Sequence, residues 1–83
     1  MSYFEIVSGI IKGKDKVIFF ELVQSVPLDL PFWEVDLYRL FKNKGGQLSS
    51  ISFNRYLRYL KDWNWGIIAE SLGKGRYALR RGQ

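Results

Sequence analysis

The stretch IIAESLGKGRYALRR, Ile67 to Arg81, constrains the chain more than any other part of it. Two runs of alternating character flank Gly73-Lys74-Gly75, which is the pattern of a β-hairpin. A two-stranded hairpin alone is marginal in water. With no cysteine among 83 residues there is no disulfide to support it, and no thiolate metal site. The core has to come from the segments upstream. An apolar fraction of 47%, with 17% aromatic, builds that core from large rings.

Glycines and prolines divide the upstream chain into four segments of helical period, with no repeats and no low-complexity tracts. The first, roughly 2–11, places Tyr3, Ile6, Val7 and Ile10 on one side; its Ile and Val content also admits a strand. The second, about 15–26, carries Phe19, Leu22, Val23 and Val26 as one stripe, with Asp15 as its expected cap and Pro27 as its end. Leu28-Asp29-Leu30 reads as a short extended connector, with no titratable partner evident for Asp29. Pro31 then suits the first turn of a third helix, with Trp33, Leu37, Leu40 and Phe41 on one face and Phe32, Val35 and Tyr38 off it. Gly45-Gly46 closes that helix.

The fourth segment is the most informative. Ser49 or Ser50 is a natural N-cap for ISFNRYLRYLKDW. At about 100° per residue, Phe53, Leu57 and Leu60 share one face, flanked by Tyr56. Asn54, Arg55, Arg58 and Asp62 take the opposite face, with Tyr59 and Lys61 at its edges. Arg58 and Asp62 stand four apart, where a helical ion pair is worth only a few tenths of a kcal/mol. Trp63 and Trp65 are expected to seal the junction between this helix and the hairpin.

Charge is polarised along the chain. Residues 1–36 hold three lysines against six acids, a net of −3, whereas residues 37–83 hold ten basic side chains against Asp62 and Glu70, a net of +8. Such asymmetry points to a basic face directed at a polyanion, nucleic acid being the commonest inside cells. A solvated basic surface without a partner is the plainer alternative.

Several function classes find little support. No run approaches the ~18 uninterrupted apolar residues of a membrane span. Glu5 precedes the apolar positions of the N-terminal stretch and lysines follow them, unlike a signal peptide. The expectation is an intracellular, soluble chain, cytoplasmic or nucleoid-associated. Histidine is absent, which removes the usual general base and zinc ligand. Gly9 to Asp15 is one spacer short of a nucleotide P-loop and has Asp where Ser or Thr binds magnesium, and no helix follows Gly73-Lys74-Gly75. Glu34 and Asp36 diverge by about 200° on a helix and cannot act together as acid and base. The expectation is no enzyme, no cofactor and no metal.

The order helix, link, helix, turn, helix, basic-tipped hairpin resembles the winged helix-turn-helix family. The likeness is strongest over SSISFNRYLRYLKDWNWGIIAESLGKGRYALRR, where the trailing leucines of a recognition helix lead into a wing of the form G-K-G-R-Y-x-L. The resemblance implies an α+β, mainly α fold: a three-helix core with a C-terminal two-stranded β-hairpin wing, plus an N-terminal amphipathic helix or strand. Residues 1–83 then form a single domain, with 14–83 as the core and 1–13 as a candidate dimerisation element through Tyr3, Ile6, Val7 and Ile10.

It also implies sequence-preferring binding of double-stranded DNA, as in a small transcriptional regulator. Helix 50–62 would enter the major groove and hairpin 66–81 would lie on the backbone. An α-helix fits that groove, where Arg suits guanine and Asn suits adenine. The candidate contacts are Ser50, Ser52, Asn54, Arg55, Arg58, Tyr59 and Lys61 on the helix, and Lys74, Arg76, Arg80 and Arg81 on the hairpin. Two other readings stand beside this one. One is a protein–protein interaction module in a larger assembly, using the aromatic surface. The other is single-strand or RNA binding through Tyr56, Tyr59 and Trp65.

Overall fold

A computed structural model describes residues 13–63 and 65–82, with no account of the Trp63 side chain. The expected first segment, with Tyr3, Ile6, Val7 and Ile10, lies outside the described residues, as does the sealing role expected of Trp63. The described residues form a small α+β domain of three helices and a three-stranded antiparallel sheet. Helix α1 is Gly13–Ser25, strand β1 Phe32–Trp33, helix α2 Glu34–Asn43 and helix α3 Ser50–Arg58. A 3₁₀ turn, Leu60–Trp63, leads to strands β2, Ile67–Gly73, and β3, Arg76–Arg81.

The apolar stripe of α1 buries as its spacing dictates: Phe19, Leu22 and Val23 are enclosed, and Ile18 joins them. Asp15 does not cap α1. Its carboxylate accepts the Gln47 backbone N–H at 3.0 Å and so ties the first turn of α1 to the loop between α2 and α3. Phe53 of α3 sits at the centre of the core, fully buried, with the rings of Phe19, Tyr38 and Phe41 at 5.1–5.3 Å. Each such side chain contributes on the order of 1.5–3 kcal/mol of burial. Tyr38 belongs to this cluster, and its hydroxyl donates to the Leu48 carbonyl at 2.8 Å.

The third expected helix starts later than Pro31 implied. Phe32 and Trp33 pair with Tyr77 and Arg76 of β3, which draws them into an edge strand, and Pro31, just before that strand, costs no ladder bond. The helical phase counted from Trp33 therefore fails. Leu37 and Phe41 are buried, but Trp33 and Leu40 are about half exposed, while Phe32 and Tyr38 pack against the core. Gly45 and Gly46 end α2 for different reasons. Gly45 takes φ +95°, and a Cβ on Gly46 would collide with the Phe41 ring.

Strand order is β1-β3-β2, so the C-terminal strand is central; its Tyr77 and Leu79 side chains join the core formed with the helices, and Ala78 between them is also buried. The hairpin closes through two residues rather than three, since Gly73 pairs with Arg76. Lys74 at φ 56° and Gly75 at φ 83° supply the two left-handed positions of a type I′ turn. A register shift between Ser71 and Gly73 bulges β2 just before the turn. Leu28-Asp29-Leu30 is a bend and not an extended link. Asp29 takes φ 66°, a region Asp tolerates, and its N–H donates to the Leu79 carbonyl at 2.7 Å.

Candidate nucleic-acid interface

Helix α3 has two unlike faces. Phe53, Tyr56 and Leu57 are buried, and Ser50, Ile51, Arg55 and Arg58 are exposed. Ser49 caps the helix, its Oγ accepting the Ser52 N–H at 3.2 Å, and the hydroxyls of Ser49 and Ser52 lie 3.2 Å apart. Ser52 is thus engaged in the cap, and Ser50 is the freer of the two serines at this end. Among the described residues, Arg55 and Arg58 form no ion pair. The α-helix ends at Arg58, because Tyr59 departs from helical ψ and Leu60 begins the 3₁₀ turn. Lys61 and Asp62 consequently fall off the α3 face, and the (i, i+4) relation of Arg58 to Asp62 is not realised.

Asn54 has a different position from the one its sequence spacing implied. Its side-chain amide donates to a Glu34 carboxylate oxygen and to the Tyr77 hydroxyl, the latter at 3.1 Å. It joins α3 to the first turn of α2 and to β3. The Glu34 N–H in turn donates to the Gly75 carbonyl at 2.8 Å, so the same brace reaches the hairpin tip. Asn54 is a structural tie here, and its neighbour Arg55 projects outward from it. Tyr56 is buried and unsuited to stacking on a base; burial pushes its phenol pKa up, partly offset by the Arg55 charge. Tyr59 is half-buried beside the 3₁₀ turn.

The hairpin divides its basic residues into two groups. Arg80 is held by two carboxylates, at 2.9 Å to Asp29 and 3.0 Å to Glu70, which fasten the α1–β1 connector and β2 to β3. Those hydrogen bonds, Asp29 first, raise its pKa further. The apparent lack of a partner for Asp29 arose from a sequence separation of 51 residues. Lys74 at the tip and Arg81 at the end of β3 are exposed and, among the described residues, unpaired with any acid. Arg76 lies 5.6 Å from the Trp33 ring centroid, a cation–π contact that supports its guanidinium without neutralising it.

The Trp65 ring packs on α1, 4.4 Å from Phe20 and 6.3 Å from Phe19. A shallow apolar groove runs between the end of α1 and α2, lined by Val26, Leu30, Trp33, Leu37 and Leu40. Among the described residues no three acidic side chains gather into a metal-sized cluster. No described helix is long and apolar enough to cross a membrane.

Sequence periodicity did not single out Ile51. It is the most exposed of the large apolar side chains described, at 74%. The signal was present, since the helical period sets it about 40° from Arg55 and 20° from Arg58.

No protein-family model matches the chain, and no curated protein or solved structure matches it.

Proposed function

We propose that this protein is a winged helix-turn-helix domain that binds double-stranded DNA with sequence preference, as a small transcriptional regulator does. The element order, with sheet order β1-β3-β2, is compatible with that fold. One observation carries the functional reading. The arginines of α3 stand exposed and, among the described residues, without acid partners on a helix whose opposite face is locked in the core, while the acids Asp29, Glu34 and Glu70 are engaged elsewhere. A rigid helix with an outward cationic face suits the major groove, and its phosphate contacts set the register in which the remaining contacts read bases.

In this reading α3, residues 50–58, lies in the groove, with Arg55 toward a guanine edge and Arg58 toward a base or phosphate. Lys74 and Arg76 at the hairpin tip, with Arg81, meet the backbone. Arg80 instead holds the hairpin, and Asn54 holds α3 at its angle to β3. No catalytic step is assigned. A homodimer through Tyr3, Ile6, Val7 and Ile10 would give the two-fold symmetry that palindromic sites match.

Selection from a pool of randomised duplexes tests the reading. A defined consensus is expected, and Arg55→Ala should relax it at one position. Enrichment of no sequence, with equal retention of single strands, would contradict it. A second reading, a protein-assembly module, is favoured by the half-exposed Leu30, Trp33 and Leu40 along the apolar groove. Unaltered duplex binding after Leu40→Glu separates that surface from the DNA face.

A further inference from the structure

We infer that Ile51 is a specificity-determining contact that recognises the 5-methyl group of a thymine, so that the preferred duplex carries a thymine about two base-pair steps along the groove from the Arg55 contact. The inference rests on the DNA-binding reading and extends it from a class of partner to a particular base. Of the exposed large apolar side chains described, Leu30, Trp33 and Leu40 line one apolar groove and Val17 and Phe20 another beside Trp65, while Leu28, Val35 and Leu72, all less exposed than Ile51, line neither. Ile51 belongs to neither. It stands on the cationic face of α3, 74% exposed, with Ser50 before it and Arg55 one turn on.

Folding gives no account of it at that position. A β-branched residue lowers helix propensity, and this one buries little surface in return. The position does match what a groove-reading helix needs. Ile51 is the second residue of α3, and the N-terminal residues of such helices are those that reach base edges. From Ile51 to Arg58 the helix advances about 10.5 Å, close to three base-pair steps. In the major groove the thymine methyl is the one apolar feature among the donors and acceptors, and an aliphatic side chain is its complement. The flanking arginines supply the attraction to phosphate, and Ile51 supplies discrimination that charge cannot.

The test replaces each thymine of the preferred duplex in turn by deoxyuridine, which removes the methyl and keeps the pairing. Binding of wild type and Ile51→Ala is then measured by anisotropy. One replacement is expected to weaken wild-type binding about fourfold, the equilibrium value of one buried methyl-sized group. Ile51→Ala should bind thymine and uracil duplexes equally at that step, with its melting temperature unchanged or slightly higher. Sequence-preferring binding that no uracil replacement alters would overturn the Ile51 assignment and leave the DNA reading intact. A wild type that binds no duplex would overturn both. Loss of discrimination in Ile51→Ala accompanied by a large fall in melting temperature would make Ile51 a structural residue, and Ile51→Val, expected to keep the preference for thymine, guards against that confusion.

Discussion

Replacing Asn54 by Ala separates the brace from the reading surface. The substitution removes two hydrogen bonds, one to the Glu34 carboxylate and one to the Tyr77 hydroxyl. A bond to a charged group is worth about 1.5–3 kcal/mol and a neutral one about 0.5–1.5. Glu34 is half-exposed, so water replaces part of the first, whereas Tyr77 is buried and its hydroxyl recovers less. The low end of the sum applies, about 2 kcal/mol. For a domain of this size that lowers the melting temperature by about 8–16 °C. Thermal and urea unfolding by circular dichroism measure it. Tyr77→Phe should cost less, and the double variant should show a coupling of roughly 0.5–1.5 kcal/mol between the two sites. DNA bound by the folded Asn54→Ala protein should keep its consensus. A melting temperature within about 2 °C of wild type, together with a changed consensus, would refute the reasoning and return Asn54 to the bases.

Gly46→Ala drives a methyl group into the buried Phe41 ring and should destabilise by about 3 kcal/mol, read as a melting-temperature loss of 12 °C or more. Lys74→Gly relieves a left-handed lysine, so stability should hold or rise by up to about 1 kcal/mol, while the slope of DNA affinity against salt becomes shallower by about 0.9. A fall in stability or an unchanged slope would count against the turn or the phosphate contact, respectively. Tyr56 has a phenol pKa raised above 10.0 by burial, so its contribution is complete below that pH. It is lost as pH rises through the folded value, because the unfolded chain ionises first. Alkaline unfolding should therefore be less steep in Tyr56→Phe than in wild type.

Much of the core was legible because it depends on local period. The stripe of Phe19, Leu22 and Val23, the inward set of Phe53, Leu57 and Leu60, the Ser49 cap and the glycine end of α2 all follow from spacing and backbone preference. Failures occurred where a distant residue overrode the local signal. Phe32 and Trp33 were drawn into a strand by β3, more than forty residues away, and this shifted the exposed face of α2 to include Leu40. Asn54 and Arg80 looked like surface ligands by spacing, yet both are held by acids from other segments, Glu34 and Asp29. Arg55 and Arg58 are exposed as their spacing implied, because no acid among the described residues pairs with them, and their contact with DNA is a proposal. An exposed isoleucine escaped notice because helical period marks where a side chain points and not whether that direction is buried.

The central claim is tested most directly by fluorescence anisotropy of a labelled duplex, titrated with protein at several salt concentrations. Among the described residues, five cations of the proposed interface pair with no acid and can meet phosphate: Arg55, Arg58, Lys74, Arg76 and Arg81. Log affinity should then fall against log salt with a slope of about −3 to −5 per chain, and reversal of Arg55 and Arg58 to Glu should abolish binding near physiological salt. A slope near zero, or binding that survives the double reversal, would contradict a DNA-binding face on α3.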